Sequence, residues 1–162
     1  MARTKNVKGG DEFSALLTGL SGDAAVTVMK AACYAGAGVL ADAIKAEIRD
    51  LPVESGYMRP GRKRSVVGTN DKRMLEERLG VSRIEAKGDG ASVAVGFSGY
   101  NDRPTKKYPA GVPIPLIARS IESGSSVRQK NPFIRRAFNK SKSQAQQKAI
   151  EAGQNKINEL LK

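Results

Sequence analysis

The sequence predicts an α+β fold: a small antiparallel β-sheet, made of a hairpin over 81–97 plus at least one further strand, packed against a long N-terminal helix, with a long C-terminal helix closing the chain. Three observations predict it. Met29, Cys33, Gly36, Leu40, Ile44, Ile48 and Leu51 follow one another by three or four residues, the spacing of one helix face. Val93, Val95 and Phe97 share one face of a strand, opposite a run over 81–87 in which Ile84 and Ala86 alternate with charged residues. Asn131-Pro132 offers an N-cap followed by proline at the first helical position, opening a helix that runs to Leu161.

Taken in order, residues 1–10 form a flexible arm and 11–162 one α+β domain. Phe13, Leu16, Leu17 and Leu20 recur at helical spacing, and a short helix is expected there. Asp23 is expected to cap the long helix, which Pro52 ends. Its middle, 31–38, consists of small residues with two glycines, each costing about 1 kcal/mol against alanine inside a helix. A close neighbour is expected there: a sheet or second helix of the same chain, or an adjoining subunit. Cys33 lies on the apolar stripe and reads as a small buried hydrophobe.

Residues 54–70 combine Gly56, Pro60, Gly61 and Gly68 with Arg59, Arg62, Lys63 and Arg64, and are expected to form a mobile basic loop. A short helix over 71–79 follows, closed by Gly80. Gly88-Asp89-Gly90 supplies a three-residue hairpin turn. A second mobile loop is expected over 99–115. Leu116, Ile117, Ser120 and Ile121 then suggest a short helix stopped by Gly124, with a strand as the alternative assignment. In the last helix Ile134, Phe138, Ala145, Ala149, Ala152, Ile157 and Leu160 are expected to form the apolar side, with Gly153 as a place to fray or bend.

Composition narrows the function. The 162 residues have the size and balance of one soluble globular domain, and they include one cysteine, no histidine and no tryptophan. That excludes histidine-dependent triads, an intrachain disulfide and a Cys/His zinc cluster. No carboxylate pair, glycine-rich phosphate loop or Ser-Lys arrangement stands at a recognisable spacing, so an enzyme is not expected, and no catalytic, cofactor-binding or metal-binding residue is assigned. The N-terminus carries positive charge with no apolar stretch behind it and does not read as a secretory signal. The segment from Ala31 to Leu51 is interrupted by Asp42, Lys45, Glu47, Arg49 and Asp50, and no membrane helix or membrane partner is expected.

The formal net charge is +12, and it is uneven: residues 1–54 carry −1 and residues 55–162 carry +13. Arg59 to Arg64 hold four cations, and Arg128 to Lys142 hold six cations with no acid. Such clusters are either solvated surface or an attraction to phosphate backbone without base reading. Glu122, alone among the cations from Arg119 to Lys142, is expected to pair with one of them within its chain or across an interface.

Four segments together resemble the bacteriophage neck or tail-completion family, the head-to-tail joining and minor tail component proteins of long-tailed phages. They are the long helix ending in Leu51-Pro52-Val53-Glu54-Ser55-Gly56-Tyr57-Met58-Arg59, then Leu79-Gly80-Val81-Ser82, then Val95-Gly96-Phe97, and then Ile117 to Ser125 leading to Asn131-Pro132-Phe133-Ile134-Arg135-Arg136-Ala137-Phe138. In that family a Glu and a Gly-Ser or Gly-Thr step precede a Pro-Phe-Ile/Leu-Arg-Pro-Ala helix start; Arg136 stands here where proline is frequent.

The resemblance implies a cofactor-free structural virion protein that assembles as a homo-oligomeric ring of six copies. Its implied partners are the head-closure (stopper) protein on one side and the tail terminator or tail-tube protein on the other, with double-stranded DNA passing through the lumen. Its implied location is the head-to-tail interface of the virion, with host cytoplasm as the place of assembly. Arg59, Arg62, Lys63 and Arg64 are the expected partner- or DNA-facing residues. Arg119, Glu122, Pro132, Phe133, Arg135 and Arg136 are the expected subunit contacts. The alternative reading is a nucleic-acid-binding protein without sequence preference.

Overall fold

The computed structural model describes residues 9–20, 22–53, 66–87 and 90–161. Its class is α+β: helices α1 (Gly10–Thr18), α2 (Gly22–Arg49), α3 (Thr69–Arg78), α4 (Ile114–Ser123) and α5 (Phe133–Leu160), with short strands β1 (Leu79–Val81), β2 (Glu85–Lys87), β3 (Gly90–Ser92) and β4 (Val95–Phe97). The arm at 1–8, the basic stretch 54–65 with Arg59, Arg62, Lys63 and Arg64, and the turn residues Gly88 and Asp89 lie outside the described residues.

The chain forms two compact units, one from Met1–Leu40, Val81–Ala94 and Ser141–Lys162, the other from Ala41–Gly80 and Val95–Lys140. In the first, the small residues of α2 meet the second half of α5. A Cβ at Gly36 would lie 3.1 Å from the carbonyl oxygen of Ala145 and 3.4 Å from the Ala149 Cβ, so the close neighbour is a helix of the same chain. Gly153 stays helical and buried, and the Phe13 ring of α1 occupies the place where a side chain would stand.

Cys33 is half-buried, and its thiol donates to the Ala91 carbonyl at 3.5 Å, so the hairpin lies against α2. Within the hairpin Glu85 pairs with Ser92 and Lys87 with Gly90. The Ser82 N–H donates to the Ala94 carbonyl at 2.8 Å, which leaves Arg83 and Ile84 opposite Val93 alone. That two-against-one step is a β-bulge, and the Ser82 hydroxyl fills it by accepting from the Ala94 N–H at 2.9 Å. The bulge divides the predicted hairpin into a β2–β3 ladder and a β1–β4 ladder, and no further strand occurs among the described residues.

In the second unit Ile44, Ile48, Leu51, Val67, Leu75, Leu79, Ile114, Ile117, Ile121, Phe133 and Ala137 form the core. The C-terminus of α2 is held by α3: Lys72 Nζ donates to the carbonyls of Arg49 (2.6 Å) and Leu51 (3.0 Å), satisfying acceptors that a helix end leaves open. After Pro52 the chain meets Val67 in a parallel bridge, so 66–70 are built into the unit and Thr69 and Asn70 already belong to α3.

Local signals misplaced several ends. Asp23 lies inside the first turn of α2 and does not precede it. Gly80 does not stop α3, because Leu79 turns directly into β1. The buried side of α5 runs through Phe133, Ala137, Ser141, Gly153 and Ile157, whereas Phe138 and Leu160 are exposed. The reading of α2 as too charged for a bilayer also needs correction. Residues 24–41 contain Lys30 as their sole charge, and by length and composition the helix is long and apolar enough to cross a membrane, at a mean hydropathy of 1.5. The window beginning at Ala31 started too late to include that stretch.

Candidate functional site

Residues 117–138, which include all the expected subunit contacts, form a joint inside the second unit. Helix α4 is amphipathic and buries Ile114, Ile117, Ala118 and Ile121, leaving Arg119 exposed. Gly124 takes φ +78, a backbone angle that favours glycine, and turns the chain away from the helix. The return is pinned by Asn131 N–H to the Ile121 carbonyl at 2.8 Å and Ser125 N–H to the Arg128 carbonyl at 2.9 Å.

Within its own chain Glu122 makes no ion pair among the described residues. Its carboxylate accepts from the backbone N–H groups of Ile134 (2.8 Å) and Arg135 (3.2 Å), two of the amides that the first turn of α5 leaves without intrahelical partners. A negative group at that position also meets the positive end of the helix dipole. Asn131 was expected to cap this helix; the cap comes instead from a side chain at the end of α4. Glu122→Ala is expected to lower stability by about 1–2 kcal/mol, and Glu122→Gln by less, because an amide oxygen still accepts. Urea unfolding of the two variants beside the parent checks the order.

Phe133 is corrected as a subunit contact. Its side chain is fully buried within its own chain, tilted 56° against Phe97 with ring centroids 6.2 Å apart, and leaves no surface for a second copy. Pro132 is half-buried. Arg136 is bound to Glu47, so the exposed charged positions of the predicted contact set are Arg119 and Arg135.

The six-cation cluster divides in the same way. Arg136 Nε and Lys140 Nζ donate to the two oxygens of Glu47 at 2.8 and 2.5 Å. Arg128 pairs with Asp71 at 3.5 Å, both side chains being nearly buried, and its Nη1 has no acceptor among the described residues. Lys130, Arg135 and Lys142 are exposed, with no ion pair among the described residues. Half of a run that reads as a uniform basic surface is therefore ion-paired within the chain.

The loop over 99–113 is a built element. Tyr100 and Pro113 form an antiparallel bridge, and the Ile114 N–H donates to the Gly99 carbonyl at 2.9 Å. The buried Asn101 closes the neck: its N–H donates to the Val112 carbonyl (2.9 Å), and its Oδ1 accepts from the N–H groups of Val112 (2.7 Å) and Arg103 (3.2 Å). Gly111 has φ +102, and a Cβ there would collide with the Asn101 carbonyl oxygen.

A cleft of about 520 Å³ between α1 and α2 is lined by Leu17, Leu20, Val26 and Met29, with Asp23 its one titratable group. A single carboxylate beside apolar side chains provides no acid–base pair. Among the described residues no group of three or more His, Cys, Asp or Glu side chains could hold a metal ion. No known protein family, curated protein or solved structure matches this chain.

Proposed function

We propose that the protein is a non-enzymatic structural subunit of the phage head-to-tail junction, a neck or tail-completion ring that joins the head-closure complex to the tail tube and lets DNA pass. The observation that carries this reading is the 117–138 joint. This stretch, one of the four that carry the resemblance, is held by Glu122, Gly124 and Phe133 in one turn that leaves Arg119 and Arg135 exposed. A part that works by fitting against neighbours needs such preset surfaces, because ordering them on contact would subtract from the binding free energy. The uneven positive charge suits a subunit placed beside a polyanion.

The test is made on particles. Labelling in electron micrographs is expected to place the protein at the head-to-tail junction, and deletion of its gene is expected to leave filled heads and tails unjoined. Normal particles after deletion, or label found elsewhere, would overturn the reading.

A further inference from the structure

We infer that the loop over 101–112 is a basic finger that contacts the phosphate backbone of duplex DNA, with Arg103, Lys106 and Lys107 as the contacting side chains. The inference deepens the reading above, in which DNA crosses the ring, and names the element that meets it.

The finger has a fixed stem and a charged tip. Beyond the neck held by Asn101, Thr105 and Tyr108 exchange backbone hydrogen bonds in both directions, at 2.9 and 3.0 Å. That closes a tight turn with Lys106 and Lys107 at its two central positions. The Lys107 ammonium stands 5.6 Å from the centre of the Tyr108 ring, and residues 102–107 are all exposed. The one acid, Asp102, accepts from Asn70 Nδ2 at 2.7 Å at the base of the finger. Arg103, Lys106 and Lys107 make no ion pair among the described residues.

These features favour nucleic acid over an acidic protein. Protein interfaces are depleted in lysine and anchored by buried aromatic side chains, whereas the exposed residues from 102 to 107 include no large apolar side chain. Phosphate contacts require only cations on a placed scaffold. A preset stem also spares the cost of ordering a loop on contact.

The experiment uses the purified full chain and a fluorescent duplex of random sequence at low salt. The Arg103→Ala/Lys106→Ala/Lys107→Ala variant is expected to bind at least about tenfold more weakly, with the slope of log K against log salt reduced by about 2–3. A charge-matched control, Arg83→Ala/Lys130→Ala/Lys142→Ala, is expected to change both much less. Unfolding midpoints of both variants verify that the fold is kept. No duplex binding by the parent, or equal losses in the two variants, overturns the finger. A larger loss of poly-glutamate binding than of duplex binding overturns it in favour of an acidic protein surface. None of these outcomes bears on where the protein sits in a particle, so the two readings fail separately.

Discussion

Replacing Arg136 and Lys140 together by alanine is expected to lower the unfolding free energy by about 3–5 kcal/mol at pH 7, because it leaves a buried carboxylate without its partners. The Glu47 side chain is 6% exposed, while those of Arg136 and Lys140 are 41% and 70% exposed. The asymmetry sets the sizes of the related effects. When the acid is removed instead, the two cations turn to water, so Glu47→Gln is expected to cost about 1–2 kcal/mol. Glu47→Leu is expected to be close to neutral, since a well-packed apolar side chain replaces a charge whose burial is itself costly.

The pH dependence separates this account from simple loss of packing. In the parent, the hydrogen bond from Lys140 holds the Glu47 carboxyl below its ordinary value of 4.5, burial opposes it, and Arg136 adds to the lowering. A carboxyl lowered in the folded state contributes stability above its unfolded pKa and loses that contribution as pH falls through the folded one. In the double variant burial alone remains and raises the carboxyl, so acidification from neutral pH is expected to restore stability until the group is protonated. Urea unfolding between pH 7 and pH 4 measures both slopes. A double variant within 1 kcal/mol of the parent that shows no inverted slope would defeat the argument.

Phe133→Ala is expected to cost about 3–5 kcal/mol, the range for emptying a fully buried aromatic site. Two terms add. The cavity loses its packing, and the tilted pair with Phe97 contributes about 0.5–1.5 kcal/mol of its own. Phe133 also opens α5 one residue before the Ile134 N–H that Glu122 accepts, so a loosened ring disturbs the cap. Phe133→Leu is expected to cost less than about 1.5 kcal/mol. The comparison distinguishes a core residue from an interface residue: the loss should appear in chemical unfolding at every protein concentration. An unfolding curve unchanged by Phe133→Ala would return Phe133 to the surface.

The elements were legible where a periodic pattern ran long. The stripe from Met29 to Leu51 holds in its second half, where Ile44, Ile48 and Leu51 are in the core; in the first half α2 buries Val28, Ala32 and Ala37, and the stripe residues Met29, Cys33, Gly36 and Leu40 are only half-buried. The strand-like alternation over 81–97 is a hairpin, although the Ser82 bulge, which no alternation reveals, divides it. The pattern in α5 was read one position off at Phe138, because a four-residue step through Phe133, Ala137 and Ser141 includes a serine that counted as polar. The joint was visible as a motif, but its chemistry was not. Glu122 was singled out for its charge among cations, and a charge count says nothing about the two backbone amides that surround it.

Sequence alone determined the α+β class, the two long helices, the excess of positive charge and the lack of any histidine, because each follows from residue type or from spacing along the chain. Tertiary structure alone decided which cations find an acid within the chain. Arg128, Arg136 and Lys140 find Asp71 and Glu47 only after folding brings together positions 57, 89 and 93 residues apart. It also made a closed finger of a loop that composition describes as mobile, since Asn101 and Val112 exchange their bonds across a turn. Long-range pairing has no local pattern, and ion pairs and caps of that kind leave no spacing to read.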